Sequence, residues 1–154
     1  MSTYRYFEDF HAGQEIDLGT RSVSAQEIVA FAHQFDPQPF HIDPVAAADS
    51  HFGGLVASGW HTCSMMMRMV VDGVMRDSSS MGSPGVEDIR WLKPVHAGDT
   101  LRVRYLTTRV RASNSKPDRG LVWSKWVATN QRGEQVCIVE GMGLFGRAPA
   151  GRTS

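Results

Sequence analysis

A carboxylate and an imidazole stand five positions apart in Phe35-Asp36-Pro37-Gln38-Pro39-Phe40-His41, on a stretch interrupted by two prolines. Proline fixes φ, offers no N–H and pushes the residue before it toward extended geometry. Asp36 and Gln38 are therefore expected to be extended, on a short stiff loop that is not helix. An acid–base pair held on such a loop can grip one water molecule and handle its protons. The same residues admit a plainer account, a Pro-rich link between helices with a capping Asp and a merely polar His. A second chemical feature is Ser58-Gly59, at the start of a long apolar stretch. The first N–H groups of a helix lack intrahelical partners, the dipole there is positive, and glycine lets a ligand oxygen approach closely. Turn geometry or helix packing would explain Gly59 equally well.

The elements that must position these groups follow from local signals. Ser24-Ala25-Gln26-Glu27 has the form of a capping box, and Ile28, Phe31, Ala32 and Phe35 then form one apolar stripe, so a helix is expected to deliver the chain to Asp36. Asp43-Pro44 is a second helix start, which gives Asp43 a structural role. Asp36, by contrast, sits at a helix C-terminus, where the dipole disfavours negative charge. The longest helix is expected over residues 58–77, with Trp60, Cys63, Met67, Val70, Val71 and Val74 on its apolar face and His61, Ser64, Arg68 and Asp72 on a polar stripe. Its many methionines suit adaptable core filling or a channel for a flexible acyl chain. Beyond a Ser/Gly-rich loop the texture changes to strands. One is expected over 86–95, with Ile89, Trp91 and Val95 on one face and Pro94 marking an edge or an end. Others follow near 101–110, 121–128 and 136–145, and an early strand around Ile16 and Leu18 is broken near Gly19. Helices followed by strands indicate an α+β domain, a curved antiparallel meander wrapped around the long helix. Residues 1–154 are expected to form a single domain with its core in 6–146 and a loose tail over 147–154.

Composition narrows the function classes. The chain has 154 residues, 42% hydrophobic and 21% charged, with 16 basic and 16 acidic side chains and no net charge when His is neutral. That balance argues against nucleic-acid or membrane-surface binding and lowers the barrier to self-association. Cys63 and Cys137 lie in apolar stretches without metal or redox spacing, so both are expected as buried, reduced thiols, and no metal is implied. No apolar run reaches membrane-spanning length and the start lacks a signal-peptide core, which points to a cytoplasmic protein.

The Asp36–His41 stretch, followed by Phe52-Gly53-Gly54-Leu55-Val56-Ala57-Ser58-Gly59, resembles the MaoC-like dehydratases, hot-dog proteins related to (R)-specific enoyl-CoA hydratases. Arg90-Trp91-Leu92-Lys93-Pro94-Val95-His96-Ala97-Gly98-Asp99-Thr100-Leu101 is similar to that family's strand-turn-strand segment, and the resemblance covers roughly 6–146. It implies a hot-dog fold, Asp36 and His41 as the catalytic pair, and Gly59 as the backbone contact to an oxyanion. Phe40, Ser58, Trp60 and Thr62 become the expected substrate contacts. Gln38 stands where the family has Asn, and Ser58 where it has His, so the loop's internal bonds and the pocket wall differ here.

The implied activity is addition of water across the double bond of a 2-enoyl-CoA, or the reverse, with no cofactor beyond the substrate's own CoA thioester. A hot-dog thioesterase using Asp36 as base or nucleophile, and a non-catalytic acyl-CoA binder, are the alternatives. The family's sheets pair edge to edge, so a homodimer or dimer-based oligomer is expected. Arg90, Lys93, Lys116, Arg119 and Lys125 are the basic residues available for CoA phosphates.

Overall fold

Ser24 opens the first long helix through a reciprocal cap: its hydroxyl accepts from the Glu27 N–H at 3.1 Å while the Glu27 carboxylate accepts from the Ser24 N–H at 3.0 Å. Helix α1 (Ala25–Phe35) buries Ile28 and Ala32 and ends where the Asp36 N–H reaches the Ala32 carbonyl at 2.8 Å. The structure, a computed structural model, describes residues 4–152. Residues 1–3 of the expected start and 153–154 of the expected tail lie outside the described residues.

The loop after α1 differs from the expectation in one respect. Asp36 and Gln38 are non-helical, but Pro39–Ile42 forms a single helical turn, α2, with Pro39 at its first position. Proline is tolerated there because the N–H it lacks has no helical partner anyway. His41 is thus carried on a helical turn. Asp43 caps α3 (Pro44–Asp49), accepting from the Val45 and Ala46 N–H groups.

The long helix is shorter and turned differently from its sequence pattern. Helix α4 (Gly59–Val70) passes into a wider π turn over Val71–Met75, closed by the Arg76 N–H on the Val71 carbonyl at 2.7 Å. Its buried residues are His61, Thr62, Met65, Met66, Met69 and Val70, whereas Trp60 is 57% and Met67 37% exposed. The expected apolar face therefore holds only in part, and His61, expected on a polar stripe, is inside. It stacks on Phe31 with ring centroids 4.6 Å apart and planes 7° from parallel. Burial pushes the His61 pKa down, toward the neutral ring. With apolar side chains all around the helix, packing between α1 and the sheet selects the buried face.

Five antiparallel strands form one sheet in the order β1-β3-β4-β5-β2: β1 (Glu15–Ser22), β2 (Gly85–Trp91), β3 (Thr100–Ala112), β4 (Arg119–Thr129) and β5 (Gln135–Gly146). The break expected near Gly19 is a register shift between Asp17 and Thr20, with Gly19 at φ +86°. On β3, Leu101, Val103, Tyr105 and Thr107 are buried, as alternation requires. Only β3–β5 form a meander. β2 pairs with β5, Ile89 opposite Val139 and Trp91 opposite Cys137, so residues 92–99 cross from the sheet edge back to its interior. The expected four-strand meander is corrected accordingly, and β2 stops at Trp91, before Pro94. Trp91 is 46% exposed rather than packed with Val95, which is buried.

Helix α4 lies in the curve of the sheet. Met65, Met66 and Met69 pack with Val103, Ala128, Val136, Cys137 and Val139, while Phe10, Val70, Val74, Tyr105, Val122 and Phe145 form the core at the other end. The final segment is tied down: Arg147 and the Ala148 N–H both reach the Glu8 carboxylate at 2.8 Å, and Arg152 pairs with Asp9.

The buried face of α4 can be tested with neighbouring methionines. Met66, fully buried, is expected to cost about 2–5 kcal/mol of unfolding free energy when changed to Ala. Met67→Ala should cost less than about 1 kcal/mol, and denaturant titration of both variants distinguishes them.

Candidate active site

Asp36 and His41 converge across the α1–α2 loop, with Asp36 Oδ2 3.4 Å from His41 Nε2. His41 is 6% exposed, and its Nδ1 lies 2.6 Å from the Val56 carbonyl oxygen. A carbonyl only accepts, so Nδ1 must carry a proton and donate to it. The ring's other nitrogen, Nε2, faces Asp36.

Asp36 is held from two sides. Ser58 Oγ–H donates to Oδ2 at 2.7 Å and Gln38 Nε2–H donates to Oδ1 at 2.7 Å. Partial burial pushes the Asp36 carboxyl upward, but the Ser58 hydroxyl, the Gln38 amide and the nearby His41 outweigh it and hold the group below the ordinary Asp value. The carboxylate is therefore charged at neutral pH, an acceptor and not an acid. Gln38, in the position where Asn was expected, supplies the loop's internal bond.

Ser58 is corrected from substrate contact to anchor. It is fully buried, makes no capping bond to its own helix, and is absent from the cavity wall. The remaining expected residues do share a wall. Asp36, Phe40, His41, Gly59, Trp60 and Thr62 line one cavity of about 390 Å³, together with Phe52, Trp91, Leu92, Pro94, Val95 and Val136. Phe40 meets the His41 ring edge-on at 4.6 Å and packs on Phe52 at 5.1 Å. Gly59 and Trp60 begin α4, so their N–H groups have no intrahelical acceptor, and both residues line the cavity.

Of the expected basic residues only Lys93 reaches this wall, and its charge is engaged by Glu134, whose carboxyl is lowered to about 2 by Lys93, Asn130 and Arg132. Arg90 pairs with Asp88 and Arg119 with Asp118. Lys116 and Lys125 are not on the cavity wall. Sequence reasoning missed Trp91, Leu92 and Pro94 as cavity residues, having placed Trp91 on a core face. The one available signal was Pro94, which cannot continue a paired strand and so marks the segment around it as leaving the sheet.

A curved antiparallel sheet wrapped around one helix is the hot-dog architecture, and here an Asp/His pair lies at the head of that helix. A Mycobacterium tuberculosis protein described as having a double hot-dog fold superposes on 98% of this chain and 47% of its own, at a TM-score of 0.78 and 20% identity. The chain belongs to the MaoC-like domain family, whose model matches residues 9–122. It is similar to the crystal structure of the MaoC-like dehydratase from Rhodospirillum rubrum, at 38% identity and a TM-score of 0.86 over 94% of this chain and 99% of the other. A mesaconyl-CoA hydratase from Cereibacter sphaeroides is 31% identical over 86% of this chain and 38% of its own length. The chain spans about two fifths of the length of two of the curated relatives it matches.

Ser58→Ala removes a donor that favours the charged form of Asp36 while leaving its burial in place. The Asp36 carboxyl pKa is expected to move up from its wild-type position, measured by carbon NMR titration of the side-chain carboxyl, with the folded state monitored by circular dichroism.

Proposed function

We propose that the protein hydrates 2-enoyl-CoA thioesters, or dehydrates the corresponding 3-hydroxyacyl-CoA. The observation that carries this reading is the convergence on one cavity of a charged carboxylate, an imidazole nitrogen facing it and helix-start amides without intrahelical acceptors. The hydratase named among the relatives acts on a CoA thioester of the same general type, which supports the choice of substrate class.

In the hydration direction, water sits between Asp36 Oδ2 and His41 Nε2, donating to each. Its oxygen attacks Cβ as Nε2 takes a proton. The C=C electrons move through Cα toward the thioester oxygen, which the Gly59 N–H receives with the positive end of the α4 dipole behind it. The imidazolium, facing a fixed carboxylate, is stabilised until its proton passes to Cα, leaving both side chains as they began. Asp36 is poorly suited to act as a thioesterase nucleophile, because both its oxygens already accept hydrogen bonds and its basicity is reduced.

The same reading includes a homodimer joined along β2. The two sheet edges are β1 and β2. Both edges carry ion pairs and a register shift, Asp17 and Glu15 with Arg102 and Arg104 beside β1 and Arg90 with Asp88 on β2, so exposed apolar surface is what separates them. β2 exposes Val86 at 55% and Trp91 at 46%, continuing into Leu92 at 46%, apolar surface suited to burial against a second copy.

Crotonyl-CoA incubated with the purified protein should lose its conjugated enoyl absorbance without releasing free thiol; thiol release would identify a thioesterase instead. His41→Ala and Asp36→Ala should each lower turnover by about 10²–10⁴-fold. In sedimentation velocity the wild type should run at twice the chain mass, and Val86→Lys should shift it toward the monomer.

A further inference from the structure

Gly59 has a neighbour that accounts for its missing side chain. A Cβ built on Gly59 would lie 2.4 Å from Cε2 and 2.6 Å from Nε1 of Trp91, so the indole occupies the space where any other residue would place its side chain. From that position Trp91 Nε1–H donates to the Gly59 carbonyl at 2.9 Å. Its ring also meets Trp60 edge-on, with centroids 5.2 Å apart and planes at 78°. Three consecutive features of the first turn of α4 are thus engaged by one side chain from β2: the Cα of Gly59, its carbonyl, and the next aromatic ring.

We infer that Trp91 is a positioning residue for the oxyanion-binding turn, holding the Gly59 and Trp60 amides in place through the Gly59 carbonyl. The inference rests on the hydratase reading of the site. Helix ends fray because their terminal groups lack partners, and the first turn of α4 makes no side-chain cap. Trp91 supplies the missing restraint from outside the helix. Its bond to the Gly59 carbonyl also polarises the Gly59–Trp60 peptide, which strengthens the Trp60 N–H as a donor. An oxyanion donor contributes most when it is fixed before charge develops, so the role predicts a loss in kcat and not in substrate affinity.

The test is Trp91→Phe, which keeps an aromatic ring beside Gly59 and removes the N–H. Two readouts are taken on the full chain. The first needs no substrate: amide hydrogen exchange at His61 and Thr62, whose N–H groups bond the Ser58 carbonyl at 3.0 and 3.1 Å and report the integrity of the turn. The second is steady-state hydration of crotonyl-CoA. The expected result is exchange faster by about tenfold at these amides and kcat lower by about tenfold with KM within about twofold of wild type. Unchanged exchange overturns the inference, even if activity falls, because Trp91 would then be acting by direct contact with substrate. Faster exchange with unchanged kcat overturns it as well, since the turn would not matter to the chemistry. A wild-type protein without hydratase activity would instead defeat the functional reading, and the exchange data would still decide whether Trp91 fixes the turn.

Discussion

The hydrogen bond from Ser58 to Asp36 joins the end of one helix to the start of another, 22 residues apart, and the site depends on it. Each partner needs the other. Ser58 is fully buried, and a buried hydroxyl without a partner is costly. Asp36 lies at the C-terminus of α1, where the dipole opposes its charge, and is partly withdrawn from water, which opposes it again. Donors from Ser58 and Gln38 reverse both effects and leave a charged acceptor aimed at His41. The carboxylate is thereby fixed in position and in protonation state together. An acid–base site needs both, because a mobile or protonated Asp36 could not orient a water toward a neighbouring substrate.

His41 is fixed by the same economy of local groups. Its Nδ1 proton goes to the Val56 carbonyl, just before the Ala57-Ser58-Gly59 segment that opens α4. The chain from Val56 to Gly59 therefore orients the imidazole, anchors the carboxylate and presents the helix-start amides within four residues. A disturbance of this segment should be felt by all three functional groups at once, which distinguishes it from the cavity wall, where Phe40, Phe52 and Leu92 contribute shape and exclusion of water.

Much of this was legible in the sequence because it is local. A capping box and two prolines determine where α1 starts and stops, which puts Asp36 and His41 on one short connection, while Gly59 joined them through the family resemblance. The parts that were not legible are those decided by distant partners. Ser58 stands at the head of a helix, where a hydroxyl ordinarily caps; only the fold brings Asp36 close enough to accept its proton. The buried face of α4 could not be chosen from a run containing Met65, Met66, Met67 and Met69, since apolar side chains point in several directions and the sheet selects among them. The pairing of β2 with β5 is a non-local choice that no strand pattern encodes, and with it went the placement of Trp91.

That placement links the assembly edge to the chemistry. Trp91 is the last residue of β2, paired with Cys137 on its inner side, half-exposed at the sheet edge, and bonded to Gly59. Half-exposure leaves the indole free to lose its hold whenever the strand end moves. Covering the β2 edge would remove Trp91, Trp60 and Leu92 from water and restrict that motion, at a point where burial of large aromatic surface is strongly favourable. Lys93, two residues on, is held by Glu134 on the β4–β5 turn, which restrains the strand end from the β5 side. In the proposed dimer a second copy against β2 would restrain it further, and the order of the first turn of α4 would then depend on assembly.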